Sequence, residues 1–458
     1  MGDKDSAGRH VRAITRRRFL GGAGLGVAAL TVGPPFSGEV AEALAAPLPA
    51  GYFHTQGAQI LDASNKPVHL AGVNWYGFES NSMVPGGLNY RTLDYICQQV
   101  RNLGFNLIRL PYSVQAVQSN PPIKNYLEAN PSLTGRTVLQ IMDAVIAAAG
   151  RYGLKVVLDN HHSEAGWSLE SNGLWYAQPY PQSVWLSTWG TLVRRYRNNS
   201  TIIGCDLRNE PGSPPPDSSA WPQNGGSLWG YGDPNATGHP RDWVLAAESA
   251  GNYILSLNPN LLIFAEGVRH DPAGPIFNGS GYLYWPGSNL VGVGKAGGRR
   301  PAPRPLTLSV PNRLVYSAHD YGPNLYSGLA WCQLGTTAST PDACRDIWNQ
   351  TWGYIAQQEI APVWLGEFGT VNGHKPNDTT PPKDYTDVNN VNPQGNWFTY
   401  LVQYIKDYNI NWCYWPLNGT QSEAPGRDPS QPDWYGVLNP TWTGAASQPM
   451  MSKLCTIQ

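Results

Sequence analysis

Charge is what this sequence has least of. Only 14% of its 458 residues are Asp, Glu, Lys or Arg, against about 25% in an average globular domain. Lys and Arg (31) nearly cancel Asp and Glu (32), leaving a formal net charge of -1. That balance excludes the basic surface required by nucleic acid or an anionic membrane, and neither is an expected partner. The apolar stretch from Gly21 to Val32 is too short and too glycine-rich to span a bilayer. Cysteine is sparse, with 6 residues and no Cys-x-x-Cys pair or His/Cys cluster, which excludes a structural zinc site of the usual spacing. There is no internal repeat and no Ser/Thr/Pro linker leading to a second module. A solenoid is thereby excluded.

Aromatic residues are abundant: 18 Trp and 24 Tyr. A chain poor in charge and rich in these rings suits an uncharged, hydroxyl-rich partner such as a sugar polymer. The ring faces cover C–H patches while the polar edges find hydrogen-bond partners. More than half of the Trp residues are expected in the core and the rest along a cleft. Residues 1–46 read as a leader. Thr15-Arg16-Arg17-Arg18-Phe19-Leu20 precedes the apolar run, and Ala43-Leu44-Ala45 supplies a small-x-small cleavage site. This pattern resembles a twin-arginine export signal and implies a secreted, extracellular protein. An oxidising destination permits disulfides. Cys332 and Cys344 are the expected pair, a Cys97–Cys455 bridge is open, and Cys205 and Cys413, in apolar strands, read as buried thiols.

After the leader, strand-like and helix-like segments alternate. β-branched or apolar runs occur at 68–74, 105–110, 154–158, 201–207, 261–265, 314–318, 363–365 and 411–415. Between them lie segments with apolar residues at helical spacing, such as 91–103, 137–152 and 243–257. Eight strands separated by helices predict an α/β fold, a (β/α)8 TIM barrel forming one catalytic domain over 47–458. The surplus length lies in loops after strands, chiefly 212–240 and 271–305, and such loops fall on the C-terminal face where barrel chemistry is placed. A doubly wound sheet would gather polar strand ends at one switch point. Here nearly every run ends in polar residues, which favours closure.

Those ends are Asn74-Trp75, Arg109, Asn160-His161-His162, Asn209-Glu210, Glu266, His319-Asp320-Tyr321, Glu367 and Trp415. In a barrel they converge on one pocket. Two carboxylates there are what glycoside cleavage needs: a protonated acid for the leaving oxygen and an ionised carboxylate for the anomeric carbon. Glu210 and Glu367 lie on the fourth and seventh strands, which face each other. Glu266 reads as a structural hydrogen-bonding group. The histidines could instead suggest a metal, but a metal-dependent barrel hydrolase would also place His-x-His on the first strand, where Val73-Asn74-Trp75 stands. No metal or cofactor is expected.

At five segments the chain resembles glycoside hydrolase family 5 of clan A, close to actinobacterial endo-β-1,4-glucanases. They are Leu70-Ala71-Gly72-Val73-Asn74-Trp75-Tyr76-Gly77-Phe78-Glu79, Asn106-Leu107-Ile108-Arg109-Leu110-Pro111-Tyr112, Asn209-Glu210-Pro211, Leu314 to Tyr321 and Trp364-Leu365-Gly366-Glu367-Phe368-Gly369. The resemblance implies a retaining β-glycoside hydrolase, acting as a monomer on a β-linked oligo- or polysaccharide. It implies Glu210 as acid/base and Glu367 as nucleophile. Arg109 and Tyr321 would hold the nucleophile ionised, Asn209 would bond the sugar 2-hydroxyl, and His161 and His319 would shape the site. Trp415 would stack under the sugar and Trp75 would serve a neighbouring subsite. A cis peptide after Trp415 is expected, made easier by Pro416.

The resemblance implies an endo-β-1,4-glucanase; Arg208, where the family commonly has His before Asn-Glu-Pro, and the long loops keep a β-mannanase, another β-glycanase or an exo-acting β-glycosidase with a loop-blocked cleft as alternatives. A non-catalytic sugar-binding barrel is a further alternative, although such proteins usually lack one of the two carboxylates. Trp221, Trp229, Tyr231, Tyr282, Tyr284 and Trp285 in the loops are either sugar platforms or loop cores.

Overall fold

The computed structural model describes residues 47–167, 170, 172–212, 226–230, 240–269, 284–294, 304–325, 341–373 and 393–458. The leader, Cys332, Trp221, Tyr231 and Tyr282 lie outside the described residues.

Eight parallel strands close a barrel: β4 (Ala71–Asn74), β5 (Leu107–Ser113), β6 (Lys155–His162), β7 (Ile202–Asp206), β8 (Leu262–Glu266), β9 (Leu314–Tyr321), β10 (Val363–Gly369) and β11 (Asn411–Tyr414). The expected barrel is therefore present. Three short strands that the sequence reading missed, β1 (His54–Gln56), β2 (Gln59–Leu61) and β3 (Pro67–Val68), form an antiparallel sheet before it. The sheet packs Phe53 and Ile60 against Leu107, Val157, Ile203, Leu262, Phe264, Val315 and Trp364. These are residues from the early turns of the barrel strands, so the sheet closes the N-terminal end.

The helices outside the barrel follow from their ends and faces. α1 (Leu93–Asn102) starts at Thr92, whose hydroxyl accepts from Tyr95 N–H, and buries Leu93, Ile96, Cys97 and Val100. A later helix, Val138–Arg151, starts with a reciprocal capping box between Thr137 and Gln140. The helix Trp243–Leu257 is capped by Asp242. The segment read as one helix over 346–358 is longer and broken: Pro341–Trp348 runs through a π-helical turn, Asn349–Gly353, into Tyr354–Gln357.

Alternation along the strands explains where the chemistry sits. On β5 Leu107 faces the apolar floor and Arg109, two residues on, faces the polar layer. The same step separates Val157 from Asp159, Phe264 from Glu266 and Val315 from Ser317 and His319. On β10 a register shift between Leu365 and Glu367 adds one residue to the step, so Trp364 reaches the floor and Glu367 the polar layer.

The open Cys97–Cys455 bridge is not formed: Cys97 is a buried free thiol. The chain end meets α1 near its C-terminus, where Gln458 donates to Leu103 O, well over a turn beyond Cys97. Cys205 and Cys413 are buried thiols, and burial raises the pKa of each well above the usual thiol value. The Trp415–Pro416 peptide is cis, as expected.

Candidate active site

Arg109 is the hub. Fully buried, its guanidinium bonds Glu367 Oε1 at 2.6 Å, Asn74 Oδ1 at 3.0 Å, Asn209 Oδ1 at 3.1 Å, Glu266 Oε1 at 3.0 Å and Asp206 Oδ2 at 3.0 Å. Asp159 Oδ1 lies 3.1 Å away. Burial works against its charge, and the surrounding carboxylates outweigh burial, holding its pKa well above the usual value. Arg109 was expected to hold the nucleophile ionised, and it lies beneath Glu367 in direct contact with it.

Glu367 is held at both oxygens. Oε1 accepts from Arg109 and Oε2 from Tyr321 Oη at 2.9 Å. Burial raises its pKa to about 7, opposed by the positive charges of His319 and Arg109.

Glu210 lies just beyond β7, which ends at Asp206, before the Asn-Glu-Pro stretch. Its φ is +50°, an uncommon backbone state for a residue with a side chain. Glu266 holds it there: Oε2 accepts the Glu210 N–H at 2.7 Å. The Glu210 carboxylate meets His319 Nδ1 at 2.9 Å and accepts from Trp285 Nε1 at 2.5 Å, both on Oε1. One oxygen each of Glu210 and Glu367 and a His319 ring nitrogen lie within 4.8 Å of one another. An oxygen of each carboxylate within that limit is compatible with the ~5–5.5 Å separation of retaining glycosidases and short of the ~6.5–9.5 Å of inverting ones.

His319 sits between the carboxylates. Burial lowers its pKa, but Glu266, Glu367 and the bonds to Glu210 and Glu266 more than reverse this, so the ring is held protonated. By spacing alone, Asp206 with Glu266 and His319, or Glu210 with His319 and Glu367, could hold a metal ion. The Arg109 guanidinium already lies on Asp206, Glu266 and Glu367, and the ring of His319 is itself cationic.

One wall of the site is aromatic. Trp415, 8% exposed, stacks on His161 (5.3 Å between centroids, 8° between planes) and on Tyr76 (5.4 Å, 14°). His161 Nδ1 lies 2.6 Å from Asp159 Oδ2, and burial followed by the neighbouring cations keeps the ring neutral. A neutral ring donating from Nδ1 leaves Nε2 as an acceptor. Trp167 extends this wall, with Arg427 3.5 Å above its ring; Arg427 in turn bonds Tyr76 Oη and Asp433.

Trp75 corrects an expectation. It is completely buried and donates to Gly86 O, so it offers no sugar platform. Alternation is the reason: Asn74 faces inward to Arg109, Trp75 turns away and Tyr76 returns to the cleft. Two loop aromatics left open are core: Trp229 and Tyr284 are fully buried. Trp285 instead joins the site, alongside Tyr321 at 4.6 Å. Arg208 is a strut rather than a sugar contact. It is buried, bonds Asn160 Oδ1 at 3.1 Å and pairs with Glu170 at 2.9 Å, tying β7 to the loop after β6 that carries Trp167.

The comparisons agree with this architecture. Residues 61–421 match the family "Cellulase (glycosyl hydrolase family 5)". An endoglucanase of Paenibacillus polymyxa is 40% identical over 395 residues, covering 86% of this chain and 84% of that protein. The major extracellular endoglucanase of Xanthomonas campestris is 31% identical, over 92% of this chain and 72% of that one. The hyperthermophilic endocellulase of Pyrococcus horikoshii superposes with a TM-score of 0.72 at 31% identity, covering 88% of this chain and 97% of that chain. A variant of that endocellulase has been solved with cellotetraose. With the family match running across most of the chain and two relatives above 30% identity, the chain belongs to glycosyl hydrolase family 5.

Proposed function

We propose that this glycosyl hydrolase is a retaining endo-β-1,4-glucanase that cleaves by double displacement, with Glu367 as nucleophile and Glu210 as acid/base. The observation that carries the reading is the pair of facing carboxylates within 4.8 Å, one bonded at both oxygens and the other bonded by two N–H groups. In the first step Glu210 gives its proton to the glycosidic oxygen while Glu367 attacks the anomeric carbon. Bond formation neutralises Glu367, and Glu210, now ionised, takes a proton from the water that releases the sugar. Arg109 and Tyr321 stabilise the carboxylate form of Glu367 before attack and after release. Asn209 has its amide oxygen taken by Arg109, which leaves the NH2 group as donor for the sugar 2-hydroxyl. Trp415, backed by Tyr76 and His161, supplies the stacking face.

Endo action on a glucan is favoured by the relatives named endoglucanase and by the endocellulase bound to cellotetraose. Among the described residues no helix is long and apolar enough to cross a membrane, and we propose export through the leader at residues 1–46. The test is a panel of carboxymethyl cellulose, glucomannan, mannan and mixed-linkage glucan, with viscosity followed beside reducing ends. Carboxymethyl cellulose should lose viscosity well ahead of reducing-end release. Reducing ends appearing first would mean exo action, and turnover confined to mannan would move the substrate assignment.

A further inference from the structure

Trp285 begins a tight turn whose sequence is Trp285-Pro286-Gly287-Ser288. Pro second and Gly third is the signature of a type II turn, which needs positive φ at the third position. Gly287 has φ +82°, and Ser288 N–H donates to Trp285 O at 3.0 Å. The Ser288 hydroxyl donates to the same oxygen at 2.6 Å. The turn is fastened to β8: Gly267 N–H donates to Gly287 O, and Val268 pairs with Asn289. A Cβ on Gly287 would come within 2.5 Å of Glu266 Oε2, the oxygen that accepts the Glu210 N–H. One carboxylate thus stands against the turn that presents Trp285 and holds the backbone of the residue Trp285 touches.

We infer that Trp285 is a positioning residue for the acid/base: its indole N–H and the His319 ring both bond Glu210 Oε1 and so confine the catalytic proton to Oε2. The inference rests on the reading of Glu210 as acid/base. An oxygen that accepts two N–H bonds is the carbonyl-like oxygen of a carboxylic acid, and the hydroxyl proton belongs on the other. The departing glycosidic oxygen therefore takes its proton from Oε2 and keeps the electron pair of the broken C–O bond. In the second half-reaction Oε2 receives the proton of the attacking water. The indole also packs on Tyr321, which bonds Glu367, so one side chain keeps both carboxylates in register.

The groups facing Glu210 are His319 and Tyr321 from β9, Glu266 from β8 and Glu367 from β10, with Arg109 behind the last two. Trp285 is neutral and acts by hydrogen bonding alone. Removing the indole N–H leaves Oε1 with one donor, so the catalytic proton is no longer confined to Oε2. Because the first step needs that proton on the oxygen facing the leaving group, its loss is felt most where the leaving group depends on acid assistance.

The test is Trp285→Phe in the full-length enzyme, read by its dependence on the leaving group. With aryl β-cellobiosides, the loss in kcat/KM should grow with leaving-group pKa, from about twofold for a dinitrophenol to tenfold or more for a phenol, because only poor leaving groups need the acid. Gly287→Ala, which keeps the indole but forces the turn off Glu266, should steepen the dependence on the leaving group in the same way. An equal loss for all leaving groups would reduce Trp285 to a substrate contact and overturn the inference. If Glu210→Ala keeps full activity on cellulosic substrate, the acid/base reading fails first and takes this inference with it.

Discussion

Glu367→Ala should lose turnover of soluble cellulose by on the order of 10⁴-fold or more, yet melt no lower than the parent enzyme. The two outcomes have one cause. Glu367 is a buried carboxylate whose pKa burial raises to about 7, so its charge is held against solvation for chemistry and not for stability. Chemical rescue separates its role from that of Glu210. Azide with Glu367→Ala should give the α-glycosyl azide, because the small anion replaces the nucleophile in a single inverting step. Azide with Glu210→Ala should give the β-azide, because it attacks the glycosyl-enzyme from the face vacated by the leaving group. The assay is carbon or proton NMR of the azide products from an activated aryl cellobioside. Exchange of the two outcomes would exchange the two roles.

The largest effect on stability belongs to Arg109→Met. It removes the positive charge shared by Asp159, Asp206, Glu266 and Glu367 and leaves them buried beside one another. Breaking one buried ion pair typically costs about 3–5 kcal/mol, and here four carboxylates share the loss. The pH dependence follows from the direction of the shifts. Burial already raises Asp159 to about 6 and Asp206 and Glu266 to about 7, and in each Arg109 works against that rise. Without Arg109 these pKa values go higher still. The folded variant then binds more protons than the unfolded chain through the neutral range, so its stability falls as pH rises there. Thermal melts at pH 5 and pH 8 should show the deficit relative to the parent shrinking at pH 5. A deficit independent of pH would mean that Arg109 acts through packing alone.

Much of this was legible in the sequence because the barrel repeats one physical pattern: an apolar run to fill the floor, then a polar end to face the cleft. Arg109, Glu210, His319 and Glu367 each terminate such a run, and each reaches the shared pocket. What escaped was legible only in part. Trp75 was placed in the cleft because it follows Asn74 at a strand end, although period-two alternation assigns the cleft to Tyr76. The β1–β3 sheet escaped because its strands are two or three residues long, too short for alternation to register. The register shift before Glu367 depends on pairing with β9 and leaves no mark in local composition. The Trp285 turn announces itself through Pro286-Gly287, but the sequence does not say which carboxylate the indole meets. Arg208 stood out as an unusual neighbour of Asn209. Its partner Glu170 comes from a loop whose approach only the fold determines.

Cleavage of a β-glycoside by two facing carboxylates in double displacement fixes the configuration of the first product. The most direct measurement is proton NMR of the first product released from a soluble cello-oligosaccharide, taken before mutarotation. The new reducing end should appear as the β-anomer and equilibrate to α only with time. An α-anomer as the first product would contradict it, because a single inverting displacement would then have replaced attack by Glu367.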